Sequence, residues 1–327
     1  MASRASDRNY TIKQTMSPFG ASWRLIGSTV GCIVCASPGV ASLAAQDATK
    51  VSAQSTQPSA APARIEDNSF LIEEAYNQEA GVVQHISTFA RQRGTRAWAY
   101  NFTQEWPLFS QRHQLSYTVP IVSAGPGTGS GIGDVALNYR YQLADGTRSG
   151  VAVAPRLSLL VATGDERRGR GAGGNGLQVN LPVSVELSPL IVTHWNAGAT
   201  YTPSAKNALG DNATTRSYNA GGSVIWLARS TFNVMLETVW ARAEEVTGPS
   251  QRVPYRLFYV SPGVRGAINF HSGLQIVPGV ALPIGIAPSR GDRQLFLYLS
   301  FEHPFSDRGK PSATRDWSGT SAASRRQ

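Results

Sequence analysis

Four sets of residues in this sequence have types and spacings that could do chemistry. Cys32 and Cys35 form a CxxC pair, half of a zinc ligand set or a dithiol redox centre. The run GRGAGG at residues 169–174 has the GxGxxG spacing of a dinucleotide-binding turn. His85 and Ser87 stand two residues apart, which on a strand places a base and a hydroxyl on one face, as in barrels that hydrolyse lipids. The largest set is ionisable and scattered: Glu105, Asp134, Arg140, Arg156, Glu186, His194, Glu237, Arg265 and Glu302. Carboxylates and guanidiniums that share one lumen would set up a transverse field selecting small solutes, or would brace the lumen shut with ion pairs.

The elements that carry these residues decide among those readings. The two cysteines lie in LIGSTVGCIVCASPGVASLAAQ, a short apolar core behind Arg24 that ends in small residues offering cleavage near Ala44 or Ala45. Residues 1–45 therefore read as a secretory signal peptide, with Met16 as an alternative start. The mature chain then has no cysteine, although it enters a compartment where disulfides form. GRGAGG precedes a strand-like stretch and opens no helix, so the dinucleotide reading fails. No grouping of His with carboxylates has metal-ligand spacing, and neither a metal nor a cofactor is expected.

Composition narrows the class. With 41% hydrophobic and 16% charged residues, the chain is too apolar and too poor in charge to be disordered. A net charge of +9 suggests a nucleic-acid partner, but residues 1–45 and 306–327 carry +3 each, leaving +3 for residues 46–305. That is no basic groove, and no nucleic acid is expected. Residues 46–68, rich in Ala, Ser, Gln and Pro, read as a flexible periplasmic leader, and residues 306–327 as a disordered polar tail.

Between them, residues 69–305 repeat one feature: segments of about ten residues that alternate apolar and polar, separated by turn residues. Trp98, Tyr100, Phe102 and Trp106 oppose Asn101, Thr103 and Glu105. Val135, Leu137, Tyr139, Tyr141 and Leu143 oppose Asp134, Asn138, Arg140 and Gln142. Leu177 to Leu187, taken at every second residue, oppose Gln178, Asn180, Ser184 and Glu186, and the same pattern recurs to Leu295, Leu297, Leu299 and Phe301 against Ser300 and Glu302. Eleven such segments contribute roughly sixty positions to the apolar face, where the overall charge would put about ten ionisable residues by chance, and none is Asp, Glu, Lys or Arg. Lipid explains the exclusion, since Lys or Arg facing the bilayer midplane costs roughly 2–4 kcal/mol. A two-sheet sandwich also alternates, but usually stops at seven to nine strands.

A less regular first strand at about residues 81–90 makes twelve, and even numbers return both chain ends to one side of the membrane. Connections at residues 91–95, 124–132, 164–175, 202–215, 242–252 and 285–291 are mostly longer than those between them, such as 188–189, 228–229 and 271–272. The expectation is an all-β, transmembrane antiparallel β-barrel of about 12 strands behind an N-terminal signal peptide. Aromatic residues near strand ends, among them Trp106, Tyr201, Trp240 and Phe270, would form the interfacial girdles. Closure satisfies every backbone amide where no water can, which answers the missing disulfides.

FLIEEAYNQEAGVVQHI (residues 70–86), HQLSYTVP (113–120), GIGDVALNYRYQL (131–143), SPGVRGAINF (261–270) and LFLYLSFEHPF (295–305) resemble the outer-membrane barrels known as putative meta-pathway phenol-degradation proteins, often described simply as transporters. The resemblance spans residues 70–305 and implies a bacterial outer-membrane channel associated with aromatic catabolism; the family defines no catalytic residues to carry over. Barrels of this kind commonly end on a C-terminal aromatic residue read by the barrel assembly machinery; this sequence departs from that pattern, since Phe305 is followed by a polar tail.

Twelve strands about 4.8 Å apart and tilted by about 40° close to a backbone radius of roughly 12 Å. The nine ionisable residues would line that lumen, making a channel for small solutes, hydrophobic or aromatic ones included, with outer-membrane lipid and the assembly machinery as partners. FLIEEAYNQE at residues 70–79 is not a clean strand and is expected as a plug, a short lumenal helix or an irregular lead into the first strand. The alternatives are a lipid-hydrolysing barrel built on His85 and Ser87, against which no Asn or carboxylate is placed to orient the histidine, and a structural or adhesive barrel acting through its loops.

Overall fold

The computed structural model describes residues 65, 69–270 and 274–304. The expected signal peptide, most of the leader, the 271–272 turn, Phe305 and the tail lie outside the described residues. Alternation places period-two strands wherever the sequence shows it. These are β1 (Val82–Gln92), β2 (Trp98–Leu108) and β3 (Ser110–Ser123), then β4 in three pieces (Gly131–Ile132, Val135–Tyr141 and Ala144–Asp145) and β5 in two (Val151–Val153 and Arg156–Val161). β6 (Gly176–Ser188), β7 (Ile191–Lys206), β8 (Asn212–Arg229), β9 (Phe232–Gly248) and β10 (Gln251–Gly266, continued by Ile268–Asn269) follow without interior breaks before Gly266. β11 (Gln275–Ala281 and Ile284–Gly285) and β12 (Gln294–Pro304) complete the set. The interruptions in β5 and β11 fall at Pro155 and Pro283, which have no N–H to give to a ladder.

Each strand pairs antiparallel with its sequence neighbours, and β12 returns to β1 in an unbroken register from Val82↔Pro304 to Gln92↔Gln294. The sheet is therefore a closed barrel of twelve strands without a free edge. Its only helical element among the described residues is the 3-10 turn Glu166–Arg168.

The connections alternate in length, with one instructive departure. The expected loops at 202–215 and 242–252 are largely strand: β7 pairs β8 out to Lys206↔Asn212, and β9 pairs β10 out to Gly248↔Gln251. Polarity there marks where the strands leave lipid, not where their pairing stops. Outside hydrocarbon the outward positions are free to be Arg, Glu and Thr while the backbone ladder continues.

The two faces of the wall are sharply different. Outward side chains such as Leu157 (51% exposed), Leu177 (52%) and Trp226 (54%) have no protein to pack against, whereas the inward Ser184, Glu237 and Ser261 are 0% exposed. Large apolar side chains bared over a whole closed surface would be untenable in water, and they form the lipid-facing belt of a membrane barrel. Along β9 the belt runs from Phe232 to Trp240, about 21 Å at the usual rise and tilt. That agrees with the expected hydrophobic height of about 25 Å.

Candidate functional site

Inside the barrel the wall is itself two-sided. From β2 to β7 the buried inward residues are polar: Asn101, Thr103 and Glu105, then Gln114, Asn138, Arg140, Arg156, Gln178, Asn180, His194 and Asn196. From β8 round to β1 an apolar cluster joins the buried polar residues, such as Glu237 and Arg265, with Ile225, Met235, Val277, Phe296, Tyr298 and Ile86 at its heart. Sequence alternation predicts the first half and misses the second. The signal was present in LFLYL at residues 295–299, apolar on both faces, which reports a strand covered on both sides.

What covers it is the chain's own N-terminal segment. Residues 69–79 run through the lumen without regular structure. A backbone held in a buried space must find partners for its amides, and here wall side chains supply them. The N–H groups of Leu71 and Ile72 both donate to Glu237 Oε1, at 2.8 and 3.3 Å. Glu73 N–H donates to Asn196 Oδ1 (2.8 Å), and Asn196 Nδ2 donates back to Glu73 O (2.9 Å), so one side-chain amide stands in for a strand neighbour. Ala75 N–H donates to Ser184 Oγ (2.7 Å), Asn77 N–H to Gln142 Oε1 (2.8 Å) and Gln78 N–H to Gln114 Oε1 (2.7 Å). Gln142 Nε2 in turn donates to Ala75 O, and Arg140 donates to the carbonyls of Glu74 and Tyr76 and to Asn77 Oδ1. The segment descends from β8 and β9 past β7, β6 and β4 to β3, and enters β1 at Val82.

The apolar end of the segment is fitted as closely. Phe70 packs on Phe296 and Tyr298, ring centroids 5.7 and 5.2 Å away, and Ile65, just upstream, is buried in the same cluster. Glycines on the wall leave room for it. A Cβ on Gly263 would meet the Phe70 ring at 2.8 Å, one on Gly279 would overlap it, and one on Gly221 would meet Ile72 Cδ1 at 2.5 Å. Between the segment and the wall, a space of about 30 Å³ lies beside Phe70, Ile86 and Tyr298 and one of about 10 Å³ beside Glu73, Glu105 and Arg156. Each holds a water or two at most.

The ionisable residues singled out from the sequence divide by position. Glu105, Arg140 and Arg156 meet in the polar half: Arg140 Nη2 lies 3.7 Å from Glu105 Oε2, and Arg156 Nη1 lies 3.1 Å from Glu73 Oε1 on the segment. Gln114 Nε2 donates to Glu105 Oε2 (2.6 Å), and Asn180 Nδ2 to Glu73 Oε2 (2.8 Å). His194 Nδ1 is 2.6 Å from Ser184 Oγ, and Tyr76 sets its ring edge-on to the imidazole. Glu237 holds the segment as described, and Arg265 is buried on β10. Asp134, by contrast, stays at the long-loop rim, where its carboxylate accepts from the N–H groups of Gly164 and Ala172 and ties down residues 162–175. Glu186 is exposed at the short-turn rim, and Glu302 is half-buried near the end of β12.

In the same rim loop, Asp165 caps the 3-10 turn and receives Arg170 Nη2 at 2.9 Å. Desolvation, the largest single influence, raises its pKa, but the Arg170 hydrogen bond, the Arg168 N–H and both arginine charges together outweigh it and hold it below the ordinary aspartate value.

No protein-family model matches this chain, and no curated protein sequence does. Among solved structures, the COG4313 outer membrane channel from Pseudomonas putida F1 aligns with a TM-score of 0.52 and 11% identity, over 70% of this chain and 97% of that one. The fold is that of an outer-membrane barrel. The KdgM porin also matches (TM-score 0.43, 9% identity, 67% and 98% coverage), as does the Ralstonia pickettii toluene transporter TbuX (0.38, 10%, 70% and 90%). Closure, the lipid-facing belt and this likeness of fold place the chain in the bacterial outer membrane, with the longer connections outside by the usual asymmetry. The outward His85 and Ser87 then face lipid and do not meet as a dyad: His85 Nε2 is 3.2 Å from His303 Nε2, and Ser87 Oγ is 3.1 Å from Tyr100 Oη.

Proposed function

We propose that this barrel is an outer-membrane channel for small solutes, closed by residues 69–79 and opened when they leave the lumen. The observation that carries the reading is how the segment is held. Its amides are satisfied by single side chains spaced around five strands, an arrangement that water or a solute can replace without disturbing the barrel ladder. Glu105, Arg140, Arg156, His194, Glu237 and Arg265 would line the freed path, with Asp134, Glu186 and Glu302 towards its ends.

The two-sided lumen suggests the solute class. A path with amides and guanidiniums on one wall and Phe296, Tyr298, Tyr259 and Val277 on the other suits compact molecules with an apolar ring and a polar substituent, such as phenols and small aromatic acids. The resemblance to meta-pathway phenol-degradation barrels points the same way. On this reading residues 1–45 export the chain, residues 46–68 precede the segment in the periplasm, and the assembly machinery folds residues 69–305 into the membrane.

The test compares the full chain with a variant lacking residues 69–79, in planar bilayers and in uptake of a panel of phenols and aromatic acids into cells. The shortened chain should conduct steadily and admit the panel faster than cells without the barrel. A silent bilayer from both chains would overturn the channel reading. Conductance without any gain in uptake over cells lacking the protein would overturn the solute class alone.

A further inference from the structure

Beyond the girdle, the outer face of the β8–β10 ribbon carries a charge arrangement that the protein leaves unbalanced. Arg216 on β8, Arg242 on β9, and Arg252 and Arg256 on β10 surround one carboxylate, Glu244. Arg252 Nε lies 3.2 Å from Glu244 Oε2, Arg242 Nη1 lies 3.9 Å from Oε1, and the Arg216 N–H donates to Oε2 at 3.0 Å. Four guanidiniums against one carboxylate leave a local excess of +3. Arg242 sits directly opposite Arg256 in the register, a like-charge pairing that destabilises a sheet unless an anion lies between. In the lumen, by contrast, Arg140 and Arg156 each reach a glutamate.

Position narrows the choice of anion. Two positions from Arg216, Arg242 and Arg256 on the same face, towards the middle of the barrel wall, stand Tyr218, Trp240 and Phe258, and two residues along a tilted strand is a climb of about 5 Å. The guanidiniums therefore stand just above an aromatic girdle, on the long-loop side, at the depth of lipid headgroups. Below them Val224 (48% exposed), Leu236 (49%) and Trp240 (38%) offer an apolar surface to acyl chains. An amphiphile with phosphates above and acyl chains below matches both halves of this surface, which a free anion does not. A second copy of the chain would bring a second excess of positive charge, which like-charge repulsion opposes.

We propose that this face binds the phosphate groups of the outer-leaflet glycolipid, the arginines holding them by charge-assisted, forked hydrogen bonds. The inference needs only the membrane barrel and is independent of conduction. The purified full chain in detergent is titrated with lipopolysaccharide carrying its lipid A phosphates, with the same material after dephosphorylation, and with inorganic phosphate as competitor. Bound glycolipid is read by native mass spectrometry. Removing two basic groups at a membrane surface should weaken retention on the order of tenfold to thirtyfold, so Arg242→Ala with Arg256→Ala should show that loss. Arg242→Lys with Arg256→Lys should retain most binding, and Arg148→Ala at the opposite rim should leave it unchanged. A heat-dependent gel shift identifies folded barrel in every sample. Equal retention of the two glycolipid forms, or of the parent and the double alanine variant, would overturn the proposal. Displacement by millimolar inorganic phosphate would reassign the site to a free anion, and a parent that is dimeric where the alanine variant is monomeric would reassign it to a second copy.

Discussion

Glu237→Ala tests whether the lumenal segment is a gate or a fixed part of the core. In the parent, one carboxylate oxygen accepts from two successive backbone amides, Leu71 at 2.8 Å and Ile72 at 3.3 Å, and Glu237 is 0% exposed. Truncation leaves both donors without an acceptor while the segment stays in place. An unsatisfied buried donor costs about 1–3 kcal/mol, and since the second bond is long the pair amounts to about 3 kcal/mol. The whole of that falls on the closed state, because the withdrawn segment gives the same amides to water. The closed-to-open ratio should therefore fall on the order of a hundredfold. Glu237→Gln keeps an oxygen in place and should shift it by less than tenfold. Two readouts follow the same equilibrium: open probability in planar bilayers, and the labelling rate of Leu71→Cys by a membrane-impermeant maleimide, possible because both native cysteines, Cys32 and Cys35, lie in the expected export segment. If Glu237→Ala leaves labelling and conductance at parental values while the barrel remains folded, the segment is not held by these bonds and the gating account fails.

Gly279→Ala places a methyl where the Phe70 ring lies, an overpacking that should cost the closed state about 1–3 kcal/mol and raise open probability; Phe70→Leu in the same chain should relieve it, and a double-mutant cycle with no coupling would count against the fit. At the outer rim, the depressed pKa of Asp165 means that its contribution to loop 162–175 is complete above the ordinary value of 3.8 and is lost as pH falls through its lower folded-state value. Amide exchange of that loop should thus accelerate only below about pH 4, relative to Asp165→Asn, whose loop is already loosened at neutral pH; identical profiles for the two chains would refute the clamp.

The barrel was legible because lipid imposes one rule on every strand. Leu157, Leu177 and Trp226 had to be apolar whatever the sequence around them, so alternation yields eleven of the twelve strands and their outward face. Rules that apply once are harder to read. Glu237 and Asn196 are inward polar residues like many others, and nothing in their spacing says that they hold residues 71–73, contacts separated by 165 and 123 positions in sequence. The charged residues attract notice, yet the neutral Gln114, Gln142 and Ser184 hold as much of the segment as the arginines do. Nothing in the sequence around Gly263 and Gly279 announces that Phe70 occupies the space that their missing side chains leave. The 202–215 and 242–252 stretches were misread for a related reason: the alternation being followed belongs to the membrane, and it ends where the membrane ends.

The same division separates what is permanent in this molecule from what can change. Strand pairing around the barrel cannot open in hydrocarbon, because each broken ladder bond would leave groups that no water can reach, at several kcal/mol apiece. The lumenal segment makes almost none of that ladder. Its contacts are hydrogen bonds between its backbone or Glu73 and wall side chains, one ion pair from Arg156 to Glu73, and the packing of Phe70, and the polar ones have a replacement once water enters. The polar wall is solvated by water as readily as by the segment, while the apolar wall loses its cover. On the proposed gating, exposing that wall would be the main cost of opening, one that a bound aromatic solute would remove by taking the place of Phe70. A solute of this kind would then shift the equilibrium towards the open state through its differential affinity for the uncovered wall, whereas a purely polar solute of equal size would not.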